Sequence, residues 1–150
     1  MALEIFITRH GQNEDNANGI LNGRRDLPLT DLGRQQAVEL AHSIANLGLE
    51  LNTVYSSPLR RALETASIIC KVVKKEKGPV VLQELIERDF GVMTGLPCAE
   101  IEARCIPDII KTDTITYFLN PEGAETFPDL VERGHKILER VRSMQTNGNA

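Results

Sequence analysis

Apolar residues in this chain recur with two different periods, and the alternation between them restricts the fold more than any other feature. Leu3-Glu4-Ile5-Phe6-Ile7-Thr8 is a run of strand formers that ends on Arg9-His10-Gly11. Residues 11–29 are polar and rich in Asn and Gly, a long loop of the kind that carries function at strand ends. Thr30 then reads as a helix N-cap. Ala37, Leu40, Ala41, Ile44 and Leu47 follow at helical spacing until Gly48 stops them. Thr53-Val54-Tyr55-Ser56 is a second short strand, and Ser57-Pro58 reads as an N-cap with proline at the first position of a helix running to about Val73. Val80-Val81-Leu82 is a third strand. Residues 83–97 are irregular, a short helix is expected from Pro97, and residues 112–125 read as loop. A last amphipathic helix starts near Thr126 and should bury Phe127, Leu130, Val131, Ile137, Leu138, Val141 and Met144. Strands alternating with helices predict an α/β fold built on a largely parallel sheet, in one domain over residues 1–150.

The charge balance narrows the chemistry. A net charge of −4 gives no global basic field, so neither nucleic acid nor an anionic membrane is an expected partner. No apolar run is long enough to span a bilayer, and the first residues lack the basic start and long apolar middle of a signal peptide. Three cysteines without a CxxC pair point to free thiols and a reducing, cytoplasmic setting. No Cys, His or carboxylate cluster has ligand spacing, so no metal and no cofactor are expected.

Arg9-His10-Gly11 is the first place where chemistry concentrates. Neutral imidazole is a nucleophile near neutral pH, an adjacent guanidinium neutralises phosphate oxygens, and glycine lets the backbone approach a substrate closely. The tripeptide alone is common, and it gains weight from the segments downstream of it. Asn16 completes an RHGxxxxN pattern. Gly23, Asp26, Pro28, Leu29, Thr30, Gly33, Gln36 and Ala37 form a G-x-x-D-x-P-L-T-x-x-G-x-x-Q-A segment. Ser56-Ser57-Pro58-Leu59-Arg60-Arg61-Ala62-Leu63-Glu64-Thr65-Ala66 matches S-S-x-L-x-R-A-x-x-T-A. Leu85, Glu87, Gly91 and Gly95 stand as L-x-E-x-x-x-G-x-x-x-G, and Gly123-Ala124-Glu125-Thr126 is similar to G-E-[ST] with an extra alanine.

In this order, and over nearly the whole chain, these segments resemble the histidine phosphatase (phosphoglycerate-mutase-like) superfamily. The resemblance implies a three-layer α/β fold, a mostly parallel sheet flanked by helices. It also implies roles. His10 matches the nucleophile that becomes phosphohistidine, Arg9 and Arg61 the two arginines on the phosphoryl oxygens, and Glu87 the proton donor to the leaving oxygen. Asn16, Asn22, Gly23 and Arg88 fall in the segments that bind substrate. These roles suit phosphoryl transfer, which spreads charge over equatorial oxygens that a planar arginine fork can hold. Arg24, Arg25 and Arg60 are further candidates for a second acidic group on the substrate.

One part of the family pattern is absent. The family carries a second histidine in an H-G at the end of a late apolar strand, whereas here His135 falls in a helix as G-H and His42 lies mid-helix. The chain therefore reads as the first three-quarters of the domain, with C-terminal strands missing. Exposed ladder groups and apolar surface would then favour a homo-oligomer or partner pairing. The leading expectation is hydrolysis of a small phosphorylated metabolite through phosphohistidine. The alternatives are a phosphoglycerate mutase and a catalytically impaired phosphate-binding or interaction chain. The family's mutases carry a longer insertion with extra arginines between the glutamate loop and the G-E-[ST] segment, so the resemblance implies a phosphatase rather than a mutase for a chain whose span from Leu96 to Glu122 is short and holds Arg104 alone.

Overall fold

A computed structural model describes residues 3–147. Its helices are α1 (Glu14–Ala17), α2 (Asp31–Asn46), α3 (Arg60–Val72), α4 (Glu100–Cys105) and α5 (Phe127–Asn147). Its strands are β1 (Tyr55–Ser56), β2 (Val80–Val81), β3 (Ile109–Lys111) and β4 (Thr116–Phe118). Single 3-10 turns at Gln83–Leu85 and Gly91–Met93 punctuate the irregular stretch.

Among the described residues the sheet is reduced to pairs. β1 and β2 are parallel, with Tyr55 opposite Val80 and Ser56 opposite Val81, as expected for a crossover through α3. β3 and β4 form an antiparallel hairpin that the sequence does not announce, since residues 112–125 read as loop throughout. Thr112 makes the turn: its hydroxyl oxygen accepts from the Ile115 amide at 3.0 Å and its own amide donates to the Ile115 carbonyl at 2.9 Å. Residues 3–8, expected as the first strand, are in no strand; Ile7 is 92% exposed, and Ile5 and Phe6 lie open beside it. Composition predicts what a segment would do beside a neighbour, but a strand exists only as one of a hydrogen-bonded pair.

Helix ends show how distant residues replace local signals. α2 starts where expected, with the Thr30 hydroxyl accepting from the Gly33 amide at 3.0 Å. α3 starts later than Ser57-Pro58 predicts. Ser57 Oγ turns onto the Leu59 amide at 3.1 Å, and the Asp26 carboxylate, from 34 residues earlier, accepts from the Arg60 amide at 2.6 Å. α5 follows Thr126 as expected, but of its predicted apolar face only Val141 is buried, while Val131, Leu138 and Met144 are exposed.

Two packed regions support the loops. α2 lies against α3, with Ala37 and Ala41 buried on one and Ala66, Ile69 and Cys70 on the other. Met93, Ile101, Cys105 and Phe118 form a second cluster, joined by Leu21, Phe90, Leu96 and Ile109. Between them the His10 segment is pressed onto the first turn of α2. The Gln12 amide donates to Gln36 Oε1 at 2.9 Å, and the Gln12 carbonyl accepts from the Thr30 amide at 2.9 Å. This approach is possible only because both surfaces are glycine. A Cβ on Gly11 would stand 2.2 Å from the Gly33 carbonyl oxygen, and one on Gly33 would stand 2.0 Å from the Gln12 carbonyl oxygen.

Backbone cannot yield to such a clash without moving the His10 segment off α2. Gly33→Ala is therefore expected to cost about 1–3 kcal/mol, read as a lowered urea midpoint with an unchanged m-value. An unshifted midpoint would show that the two segments do not meet as described.

Candidate active site

His10 is half-buried at the end of the open N-terminal segment, and both its ring nitrogens are occupied. Nδ1 lies 2.6 Å from the Gly11 carbonyl, which can only accept, so Nδ1 carries the proton. Nε2 then presents its lone pair, and the Arg61 Nε–H donates to it at 3.1 Å. Burial pushes the imidazole pKa below its ordinary value; the Gly11 hydrogen bond opposes this, the Arg61 and Arg9 charges reinforce it, and Glu87 opposes it. The ring is thus held neutral, in the tautomer whose Nε2 can attack.

Arg61 is the most deeply set charge of the site, only 1% exposed in the first turn of α3. Besides its bond to His10, Nη1 donates to the Arg25 carbonyl at 2.7 Å and Nη2 to the Gly23 carbonyl at 3.0 Å. Burial lowers its pKa, and the carboxylates of Glu87, Asp26 and Asp15 counter this and keep the cation. Thr65, one turn on, accepts from the Gly11 amide at 3.1 Å and donates to the Arg61 carbonyl at 2.8 Å. One hydroxyl therefore fixes the His10 segment and the arginine's helix to each other.

The remaining predicted residues divide sharply. Arg9 is exposed, and its guanidinium pairs with no group among the described residues; its charge acts on His10. Glu87 is exposed too. Its carboxylate acts on both His10 and Arg61, and its Oε1 accepts from the Arg88 amide at 2.8 Å. Asn16 sits on α1 with its Oδ1 turned back to the Asn13 amide at 3.3 Å, leaving its amide nitrogen free to donate. Gly23 meets the site through its carbonyl, on Arg61, in a left-handed conformation with φ of 47°.

Two expectations need correcting. Asn22 does not present its side chain to a substrate; it is buried in a reciprocal amide pair with Asn13, at 2.6 and 3.3 Å. Nor does Arg88 reach out. Its guanidinium is buried, donates to the carbonyls of Glu125, Phe118 and Leu119 at 2.7, 2.8 and 2.7 Å, and stacks on Phe118 and Phe127. The candidates for a second acidic group are also engaged: Arg25 pairs with Asp15, and Arg24 with Asp89 and Glu125. Of these candidates, only Arg60 keeps a side chain without a partner among the described residues. His42 and His135 are exposed on α2 and α5. Among the described residues no group of three or more His, Cys, Asp or Glu could hold a metal, and no helix is long and apolar enough to cross a membrane.

Asn13, Asp26 and Thr65 tie the segments of the site together, though the sequence does not single them out. Each lies inside or beside a motif that stands out, so a signal was present, but their roles depend on partners brought in by the fold.

Residues 5–150 match the family model of the histidine phosphatase superfamily, branch 1. The chain belongs to that superfamily. A 2,3-bisphosphoglycerate-dependent phosphoglycerate mutase of Rhizobium etli is 32% identical over 134 residues, which cover 86% of this chain and 62% of that protein. A broad-specificity phosphatase of Saccharomyces cerevisiae is 36% identical over 101 residues, 67% of this chain and 44% of that one. Among solved structures, a mycobacterial glucosyl-3-phosphoglycerate phosphatase in complex with VO3 superimposes with a TM-score of 0.71 at 26% identity, covering 89% of this chain and 64% of its own. A phosphoglycerate mutase of Thermus thermophilus gives 0.61 at 29% identity, covering 87% and 68%. This histidine phosphatase chain thus spans less than two thirds of the length of either curated relative named.

The His10 proton couples this geometry to stability. The folded chain binds it less readily than the unfolded one, whose pKa is near 6.5. Stability should therefore rise with pH through the window from the depressed pKa up to about 6.5, and His10→Gln should remove that rise. In a nitrogen-15 correlation spectrum above this window His10 should show the Nδ1–H form; an Nε2–H form would overturn the assignment.

Proposed function

We propose that this chain carries the phosphoryl-accepting site of a histidine phosphatase acting on small phosphomonoesters. The observation that carries the reading is the pair of bonds on His10, with Nδ1–H on the Gly11 carbonyl and Arg61 on Nε2. An imidazole so held is a nucleophile beside a cation aimed at the point where phosphoryl oxygens would gather. In the first step the Nε2 lone pair forms a bond to phosphorus, the ester P–O bond breaks, and the leaving oxygen takes a proton from the Glu87 carboxyl. In the second, water attacks phosphorus, Glu87 takes its proton, the P–N bond breaks, and inorganic phosphate leaves with His10 restored. Arg9, Arg61 and the free Asn16 amide would hold the equatorial oxygens. These arginines supply positive charge without a metal, so turnover should persist in EDTA.

The phosphatase is favoured over the mutase by where the arginines are spent. Arg24, Arg25 and Arg88 are held by internal partners, and Arg104, alone between Leu96 and Glu122, pairs with Glu100. None of these four is free to read the carboxylate of a phosphoglycerate, which leaves exposed Arg60 as the one candidate for it among the described residues. The three free thiols, two of them buried, support a cytoplasmic setting.

Incubation with p-nitrophenyl phosphate, followed by alkaline quenching and phosphorus-31 spectroscopy, should reveal phosphohistidine, and His10→Asn should abolish the signal. Arg9→Ala, at an exposed position where folding is spared, should slow labelling about 100- to 1,000-fold. Labelling that persists in His10→Asn, or none in the unaltered chain, would overturn the proposal.

A further inference from the structure

The Gly123-Ala124-Glu125-Thr126 segment plays no direct part in the chemistry above, yet its carboxylate is among the most heavily engaged in the chain. Glu125 is 13% exposed in its side chain and takes a two-point bond from Arg133, Nε to Oε1 and Nη2 to Oε2, both at 2.7 Å. Its Oε2 also accepts from Arg24 Nη2 and from the Asp89 amide, each at 3.4 Å. Its backbone is held as well: the carbonyl accepts from Arg88 and the amide donates to the Asp89 carbonyl at 3.0 Å.

The other donors of these arginines reach the backbone around Glu87. Arg133 Nη1 donates to the carbonyls of Glu84 and Ile86, at 2.5 and 2.7 Å. Arg24 Nε donates to the carbonyl of Glu87 itself at 3.1 Å. The backbone at and before Glu87 is thus gripped by cations that Glu125 orients. The Glu87 side chain has no comparable anchor, since the bond that holds its carboxylate comes from the next residue's amide. A flexible, exposed carboxyl that must meet a leaving oxygen needs its backbone fixed, and here the fixing converges on one largely buried carboxylate.

We propose that Glu125 is a positioning residue for Glu87, holding it in register with His10 through the Arg133 and Arg24 guanidiniums. This rests on Glu87 being the proton donor. The role predicts a selective defect. An alkoxide needs a proton in order to leave, whereas p-nitrophenolate does not, so a misplaced donor slows only the first class of ester.

The experiment measures single-turnover phosphorylation of His10 by p-nitrophenyl phosphate and by glycerol 3-phosphate, with urea midpoints taken alongside. Glu87→Gln should slow the alkyl ester about 100- to 10,000-fold and the nitrophenyl ester less than about 10-fold. Glu125→Gln should show the same selectivity, with about a 100-fold loss on the alkyl ester. Combined with Glu87→Gln it should add nothing further. Arg133→Lys, which keeps the charge but loses the fork, should reproduce the selectivity even if Glu125→Gln folds poorly. If Glu87→Gln is selective while Glu125→Gln and Arg133→Lys slow both esters equally, or if the double variant is additive, the positioning role is overturned. If Glu87→Gln is itself unselective, the proton-donor reading fails, and the role of Glu125 fails with it.

Discussion

A buried cation joined to a neutral imidazole is the constraint on which the rest of this structure depends. Taking a guanidinium out of water is costly, and the cost is offset only when its donors are matched and opposite charges stand near. Arg61 meets both conditions, with acceptors on His10, Gly23 and Arg25 and the carboxylates of Glu87, Asp26 and Asp15 around it. Two of those acceptors are backbone carbonyls of the loop before α2, so that loop must take one conformation. Gly23 adopts a positive φ to deliver its carbonyl, and Asp26 sits where it also caps α3. The long polar loop is therefore ordered less by its own propensities than by the charge it encloses.

Arginine is used in two ways, and burial with partner type separates them. Arg88 and Arg133 tie backbone carbonyls together from distant parts of the chain, doing with side chains what a sheet ladder does elsewhere. This suits a fold whose described strands are only two or three residues long. Arg9 and Arg60 keep their side-chain donors in solvent. A net negative chain can present a cationic site because most of its arginines are neutralised locally and these few are not.

The elements most legible in the sequence were those with a local cause. α2 begins after Thr30 because that hydroxyl caps the helix that follows it, and His10 and Arg61 are picked out by the ordered motifs in which they stand. What escaped had a remote cause. α3 begins at Arg60 because Asp26 reaches it from 34 residues away, and Asn22 is withheld from any ligand because Asn13 is its partner. Arg88 reads identically in sequence whether it faces a substrate or three carbonyls; only the positions of Phe118, Leu119 and Glu125 decide. Residues 3–8 departed from expectation for the converse reason, since a strong local propensity met no described neighbour with which to pair.

The same distinction explains how the site could accept a phosphoryl group without rearranging. Arg61 has five N–H donors, and its bonds to His10, Gly23 and Arg25 use three of them. The two carbonyl bonds hold the guanidinium plane, while the Nε–H on His10 is the one an incoming phosphoryl oxygen would take over. Losing that contact frees the Nε2 lone pair at the moment the donor gains a better, anionic acceptor. In the proposed reaction the His10 proton would stay on Nδ1, because the Gly11 carbonyl that holds it belongs to the segment locked against Gly33. Preorganisation of this kind requires that nothing move except the bond being exchanged, which is why a close glycine contact on α2 bears on chemistry at a histidine it never touches.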